Sequence, residues 1–293
     1  MIATKKQRKN RNLQLFFTIV LYACCTYKIL MGETSAIFCF QNELFYRLSS
    51  IFLLTINAIA LLFVMRRQGL IELRNYQPAL FYLLLSFVFS AVLNPLSLFV
   101  GLIFILGIFQ NLFDFEDINI NSKIFRYGFY VGILALLYFP LILLLLLIYW
   151  ACITYRRFSF RILLLPIISA ILPFLYWYSA LYIIGIEVFI QEDILQIGKR
   201  LLEIQHLNLL ETPFILIFSI LLLLVCLKSV HTLLLAAGKT SVLRRKKYYI
   251  LLLLFLFSAT FAILYGQFYF EILFVVCAII ISLHFVYAKK WWW

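Results

Sequence analysis

Long runs of apolar residues, separated by short polar segments, make up nearly the whole chain. About 20 apolar residues in a helix cross the hydrocarbon core of a membrane, so runs near this length predict spanning helices. Such runs cover residues 13–30, 48–64, 162–184, 213–227, 248–265 and 271–287. Residues 78–113 add two shorter segments, which break at Asn94 and Pro95 because proline lacks the helical N–H donor. The pattern predicts an all-α polytopic transmembrane helical bundle of about eight spans.

Residues 127–155 form one further apolar run, which is too long for a simple span at about 1.5 Å per residue. The run is either one strongly tilted span or a re-entrant hairpin that bends at Phe139 and Pro140. A hairpin at membrane depth would line an internal cavity, because non-helical backbone there must be shielded by protein or water.

A more polar stretch, residues 187–211, contains Ile194, Ile197 and Leu201 at helical spacing. This spacing predicts an amphipathic helix that lies in the outer membrane interface. Because no linker or low-complexity segment interrupts the chain, we expect a single membrane domain over residues 1–293. Residues 1–12 would be its basic cytoplasmic tail.

The composition excludes an ordinary soluble domain. The chain is 66% hydrophobic and 13% charged, with a mean hydropathy of +1.05. Soluble domains are about half apolar and about a quarter charged. The net charge of +13 would point to nucleic acid in a soluble protein. Here it indicates cytoplasmic loops, where Lys and Arg accumulate in membrane proteins, so we predict no nucleic-acid partner.

The distribution of basic residues separates the two alternatives for residues 127–155. With the hairpin, all but four of the 25 basic residues face the cytoplasm, the exceptions being Lys28, Arg47, Lys199 and Arg200. A single span would invert every later segment and place the basic residues 244–247 outside. The charge pattern therefore favours the hairpin and places both termini in the cytoplasm.

The sequence lacks the common motifs for nucleotide binding and metal binding. The chain contains no P-loop, GxGxxG, HExxH or zinc-type cysteine spacing, and its three histidines are widely separated. We therefore predict no metal and no cofactor, and whether the protein is an enzyme stays open.

Two groups of residues are candidates for chemistry on a lipid phosphate. Glu33 and Glu43 lie in the first outward loop, where an acidic residue would remove a proton from an acceptor. Arg156, Arg157 and Arg161 follow the proposed hairpin, and guanidinium groups bind phosphate in a bidentate manner. The alternative is an ordinary solvated loop for the acids and topology-setting charge for the arginines.

Glu271 is a third ionisable candidate, at the start of the last span. A carboxylate inside a span is a functional-site hypothesis, but one near the membrane boundary can reach the interface. We expect Glu271 to be interfacial rather than a buried functional acid.

Two central segments, KIFRYGFYVGILALLYFP at 123–140 and YRRFSFRILLLPIISAILPFLYW at 155–177, carry a family resemblance. The chain resembles a family of Bacteroidota, chiefly flavobacterial, multi-pass inner-membrane proteins of unknown function, over residues 76–291. Some members carry Trp-Arg-Glu-Trp where this chain has residues 159–162, and only Arg161 is kept here. The resemblance implies a location in the bacterial inner membrane and transfers no activity.

Three classes of function are compatible with these observations. The leading hypothesis is an inner-membrane protein that handles a lipid or serves as a subunit of an envelope complex, with membrane lipids as its partners. The second is a polyprenyl-phosphate-dependent glycosyltransferase or O-antigen-polymerase-like enzyme with a lipid-linked substrate. In that enzyme Glu33 or Glu43 would be the base, and the arginines would bind the phosphate. The third is a transporter, which would use paired broken helices.

Overall fold

Helices account for all of the secondary structure that the described residues form. The computed structural model describes residues 5–31, 43–70, 75–89, 94–113, 120–157, 159–184, 213–238, 241–265 and 267–287. The helices are α1 (Lys5–Met31), α2 (Glu43–Arg67), α3 (Gln77–Val88), α4 (Pro95–Ile103), α5 (Gln110–Leu112), α6 (Ile120–Leu137), α7 (Leu145–Thr154), α8 (Phe160–Ile184), α9 (Pro213–Ala237), α10 (Val242–Tyr265) and α11 (Gln267–Tyr287). A π-helix, Phe104–Phe109, joins α4 to α5, and a 3-10 helix, Phe139–Leu144, precedes α7. The predicted all-α class is confirmed, whereas the amphipathic helix predicted over residues 187–211 lies outside the described residues.

Four helical segments are long and apolar enough to cross a membrane: Phe45–Arg67, Pro95–Leu112, Phe160–Ile184 and Tyr269–Val286. Shorter apolar helices cover Leu13–Ile29, Gln77–Val88, Phe139–Thr154 and Leu224–Leu235. These segments indicate a membrane protein, as the sequence predicted. Helix α8 is continuous through Pro166 and Pro173.

The chain divides into two compact units, residues 1–102 with 207–293, and residues 103–206. We call them the first and the second unit. The single membrane domain expected for residues 1–293 stays a prediction.

Helix α11 is the core of the first unit, since 83% of its apolar span is buried. Helix α3 packs against α11 through aromatic rings. Phe81 stacks on Phe285 at a centroid distance of 5.3 Å, and Phe89 packs on Phe274 at 5.2 Å. The residue numbers rise on α3 as they fall on α11, so the two helices run antiparallel.

Helix α9 packs on the same core helix in the opposite sense. Cys226 Sγ lies 3.7 Å from Cys277 Sγ, and Thr232 Oγ1 lies 2.7 Å from His284 Nδ1. Both pairs advance in the same direction along the two helices, so α9 and α11 run parallel.

Two lysines connect the ends of helices in the first unit. Lys28 Nζ, in the last turn of α1, donates a hydrogen bond to the Phe87 carbonyl oxygen at 3.0 Å, near the end of α3. Lys247 Nζ, near the start of α10, donates to the Gln68 carbonyl oxygen at 3.2 Å, just after α2 ends. Cations stabilise helix C-termini, because the last carbonyl groups lack intrahelical partners. The ends of α1 and α3 therefore lie together, as do the end of α2 and the start of α10.

In the second unit, two glycines let α6 and α8 approach closely. Gly128 and Gly132 are four residues apart, and they face the backbone of Pro166 and Ala170. Small residues at this spacing allow helix backbones to meet inside a membrane, where van der Waals packing contributes much of the association energy.

The chain reverses direction after α6. Tyr138 is extended, with φ −151° and ψ 102°, and the 3-10 helix begins at the next residue. Tyr127 Oη, halfway along α6, donates a hydrogen bond to the Leu144 carbonyl oxygen at 2.6 Å. The segment after Tyr138 therefore packs back along α6, and the bend that the sequence suggested at Phe139 and Pro140 is found.

We predict that Gly128→Ala destabilises the protein. The added Cβ would lie 2.5 Å from the Pro166 carbonyl oxygen, which belongs to backbone and cannot rotate away. Overpacking of this kind costs about 1–3 kcal/mol. The measurement is the unfolding midpoint of the full chain in detergent.

Gly238→Ala is the matched control, because its added Cβ would meet the Leu235 oxygen at an ordinary 3.6 Å. An unchanged midpoint for Gly128→Ala would contradict the close approach of α6 and α8.

Candidate functional site

The acidic residues proposed as catalytic bases fall at the edge of the described chain. Glu33 lies outside the described residues, and Glu43 is the first residue of α2, with its side chain outside them. Nearby, Tyr46 Oη donates a hydrogen bond to Asn94 Oδ1 at 2.8 Å, which joins the start of α2 to the residue before α4. The catalytic role of the two glutamates stays a prediction.

The three predicted phosphate-binding arginines lie on or next to the turn between α7 and α8. The N–H of Arg156 donates to the Ile153 carbonyl and that of Arg157 to the Cys152 carbonyl, both at 3.0 Å. This is a Schellman motif, which usually places glycine at its left-handed position. Here Arg156 occupies that position, with φ 53°.

Gly69 ends α2 in the same motif with φ 63°, so the chain also contains the usual form of this turn.

The side chains of Arg156, Arg157 and Arg161 are all exposed. They form a cationic edge on the second unit, and no described contact ties them to one another.

A buried polar cluster in the first unit is the strongest candidate site, and it centres on Glu271. This residue lies in the second turn of α11, the most buried of the spanning helices, and its exposed fraction is 1%. The sequence predicted an interfacial carboxylate at this position. That prediction is wrong, because neighbouring helices enclose the side chain completely.

Tyr82 and Asn57 complete the cluster, and we refer to the three residues as the Glu271 cluster. Tyr82 Oη, from α3, donates a hydrogen bond to Glu271 Oε1. Asn57 Nδ2, from the middle of α2, donates to Tyr82 Oη at 3.3 Å and to the Leu98 carbonyl oxygen of α4 at 2.8 Å. Four helices thus contribute to one connected polar network inside an apolar bundle.

Gly101 of α4 makes room for this network. A Cβ at this position would lie 2.7 Å from Glu271 Cγ and 3.4 Å from Asn57 Nδ2. The carboxyl-bearing side chain and the amide therefore pack directly against the α4 backbone. Any residue larger than glycine would displace them.

The network leaves two buried acceptors without hydrogen-bond partners, Glu271 Oε2 and Asn57 Oδ1. Within the described part of the chain, Glu271 also makes no salt bridge. An unsatisfied buried acceptor costs about 1–3 kcal/mol, and more when it is charged. A ligand that supplies a proton or a positive charge would remove this cost, so the cluster is chemically suited to bind a small cation, including a proton.

Other titratable groups in the first unit make a weaker case. His284 is buried and bonded to Thr232, whereas His231 is exposed. The Cys226 and Cys277 thiols contact each other in the core. Among the described residues, no three His, Cys, Asp or Glu side chains lie close enough together to hold a metal ion.

The sequence contained a partial signal for this cluster. Asn57 and Glu271 are polar residues within or at the start of apolar runs, where such groups need a partner. Tyr82 gave no signal, because tyrosine is common throughout this chain. The pairing itself joins residues 189 positions apart, and no periodicity reveals it.

Comparison of the chain with family models, with curated proteins and with solved structures finds no match.

Proposed function

We propose that this chain is a multi-pass protein of the bacterial inner membrane that binds a small cation at the Glu271 cluster during ion-linked transport. It would act as a transporter or as the ion-binding subunit of an envelope complex. The buried Glu271 carboxyl, with one oxygen unpartnered, is the observation that carries the proposal. Ionisable residues inside spanning helices typically mark ion pathways and proton relays, because burying them without a function is costly.

A segment of irregular helix follows α4, one of the helices that form the proposed site. Helix α4, which contributes the Leu98 carbonyl and Gly101, continues directly into the π-helix Phe104–Phe109. Short π-helical turns within α-helices occur frequently at functional sites. Helix α3 is also short, at 12 residues, as the broken helices of transporters are.

We expect Glu271→Gln to abolish cation binding, because the amide cannot accept a proton or supply negative charge. The full chain is reconstituted in lipid vesicles on a solid-supported membrane, and the charge displaced by a jump in pH or in sodium concentration is recorded. This readout reports binding inside the protein, so it needs no transported solute. The wild type should give a transient current, and the variant should fall to the level of protein-free vesicles.

Ser282→Ala is the matched control. Like Glu271, Ser282 is a buried polar residue of α11. Its hydroxyl group bonds only within its own helix, to the Ile279 carbonyl oxygen at 2.7 Å. The control should keep the wild-type current. Equal currents from Glu271→Gln and the wild type, or none from either, would refute the proposed function.

The proposal includes eight spans, formed by α1–α4 and α8–α11, with the α6–α7 segment as a re-entrant hairpin and both termini in the cytoplasm. The bond between Tyr127 and Leu144 supports the hairpin, since it requires the chain to turn back. The two lysine contacts support the alternation of the spans. In this topology Lys247 and Gln68 are both cytoplasmic, and Lys28 and Phe87 are both external.

We expect a single cysteine at Arg157→Cys to resist a membrane-impermeant maleimide that is added to intact spheroplasts. The hairpin keeps this turn on the cytoplasmic side, so the residue should react only after the membrane is opened. Asp193→Cys, in the predicted outer segment, is the control that should react at once. Reaction of Arg157→Cys in intact spheroplasts would show that residues 127–155 cross the membrane.

The arginines on and next to the turn between α7 and α8 favour a second function, the binding of a lipid phosphate. These are Arg156, Arg157 and Arg161. Its three guanidinium groups are exposed, and Trp150 and Phe160 on the flanking helices are exposed as well. Aromatic and basic side chains together are typical of the headgroup level. A lipid-handling protein, or an enzyme that uses a lipid-linked substrate with Glu33 or Glu43 as base, would use such a site.

The double variant Arg157→Gln, Arg161→Gln should retain less phosphatidylglycerol than the wild type when native mass spectrometry counts the bound lipids. Each basic residue near the surface contributes about 1 kcal/mol, so two residues correspond to roughly 30-fold in affinity. Arg156 is kept because changing it would also alter the backbone turn. Arg67→Gln, an exposed arginine at the end of α2, is the control. Equal loss in the control would mean that the effect is general surface charge.

A further inference from the structure

Two oxygen atoms of the Glu271 cluster lack hydrogen-bond partners, and their number limits which cation the cluster can bind. Resting on the proposed function, we infer that the ligand of this site is a proton, which binds Glu271 Oε2, and not a metal ion. Three features of the cluster favour a proton: its few free acceptors, the restricted space beside Gly101 and the charges of the surrounding helices.

Too few oxygen atoms are open to coordinate a metal ion. Glu271 Oε2 and Asn57 Oδ1 are the two unpartnered oxygens of the cluster. The Leu98 carbonyl and Tyr82 Oη both already accept hydrogen bonds from Asn57 Nδ2. Calcium takes about 6–8 oxygen ligands and magnesium needs an octahedron, while alkali ions need oxygens that replace their hydration shell. Two oxygens meet none of these requirements.

Space in the cluster is equally restricted. A single methyl group added to Gly101 would lie 2.7 Å from Glu271 Cγ, so the carboxyl side chain is already in close contact with α4. A metal ion would have to bring several waters with it to complete its shell. A proton needs no volume of its own.

A proton also removes the cost of the open carboxylate oxygen. When Oε2 takes up a proton, a new O–H bond forms and the negative charge of the carboxylate disappears. The resulting hydroxyl group is a donor, so the buried side chain no longer needs a positively charged partner. Tyr82 keeps its hydrogen bond to Oε1, which becomes the carbonyl oxygen of the acid.

Among the described residues, the helices around the cluster bring no competing cation to it. On α2, which supplies Asn57, the charged residue nearest to Asn57 along the helix is Arg66, nine residues or about 14 Å away. Helix α3 contributes Tyr82 as its one titratable residue. On α9, Cys226 faces Cys277, while Lys228 and His231 are exposed. On α10 the charged residues lie near its start, about 30 Å along the helix from its junction with α11, and they are Arg244, Arg245, Lys246 and Lys247. On α11 itself, Tyr269, Cys277 and His284 are the other buried titratable groups, and His284 is bonded to Thr232.

Infrared difference spectroscopy on the reconstituted full chain tests this inference. Across a pH titration, the wild type should show the carbonyl band of a protonated carboxyl group, and Glu271→Gln should lack it. Replacing sodium by potassium, magnesium or calcium salts at constant pH should leave the band unchanged. Asp117→Asn, which removes an acid elsewhere in the sequence, should retain it.

Tyr82→Phe supplies a second, independent readout. It deletes the donor to Oε1 while leaving the carboxyl in place, so the carbonyl band should remain and shift to higher frequency. A carboxylate band that responds to metal salts, or no band assignable to Glu271 at any pH, would overturn the proton assignment. The charge-displacement experiment tests the proposed function independently of the proton assignment. A proton held permanently on Glu271 would give the infrared band without any displaced charge, which would support the assignment and contradict the function.

Discussion

A carboxyl group enclosed by apolar helices has no water to solvate it, and the first unit is organised around this constraint. Helix α11 is the most buried of the spanning helices, and Glu271 lies near its start with only protein around it. The hydroxyl of Tyr82 and the amide of Asn57 take the place of solvent on one side of the carboxyl. Gly101 removes a side chain where the network needs space. Two acceptors of this network, Glu271 Oε2 and Asn57 Oδ1, stay without hydrogen-bond partners.

The second unit meets the same apolar environment by close backbone packing instead. Gly128 and Gly132 of α6 lie against the backbone of α8, where Pro166 and Pro173 are accommodated without a break. The hydroxyl of Tyr127 bonds to the Leu144 carbonyl of the 3-10 helix, whose backbone hydrogen bonding is less regular than that of an α-helix. Only 28% of the apolar span of α8 is buried, so most of its surface is left for lipid.

Apart from Glu271, the charged side chains among the described residues lie outside the buried cores of the two units. Lys28 and Lys247 bond to backbone carbonyls at the ends of neighbouring helices, and the arginines around the α7–α8 turn are exposed. Glu271 is the one Asp, Glu, Lys or Arg that is buried among the described residues. Among the described residues of the first unit, no buried Lys or Arg accompanies this acid.

The sequence by itself determined the class of this protein. Runs such as residues 48–64 are too apolar for a water-soluble fold, and Pro140 marked the position where the 127–155 segment bends. Both conclusions depend on local properties, hydrophobicity and backbone geometry, which each residue carries with it. The character of Glu271 was decided by tertiary structure, and the sequence-based expectation of an interfacial acid failed. Burial depends on which helices pack around a residue, and Tyr82, Asn57 and Gly101 reach Glu271 from distant parts of the chain.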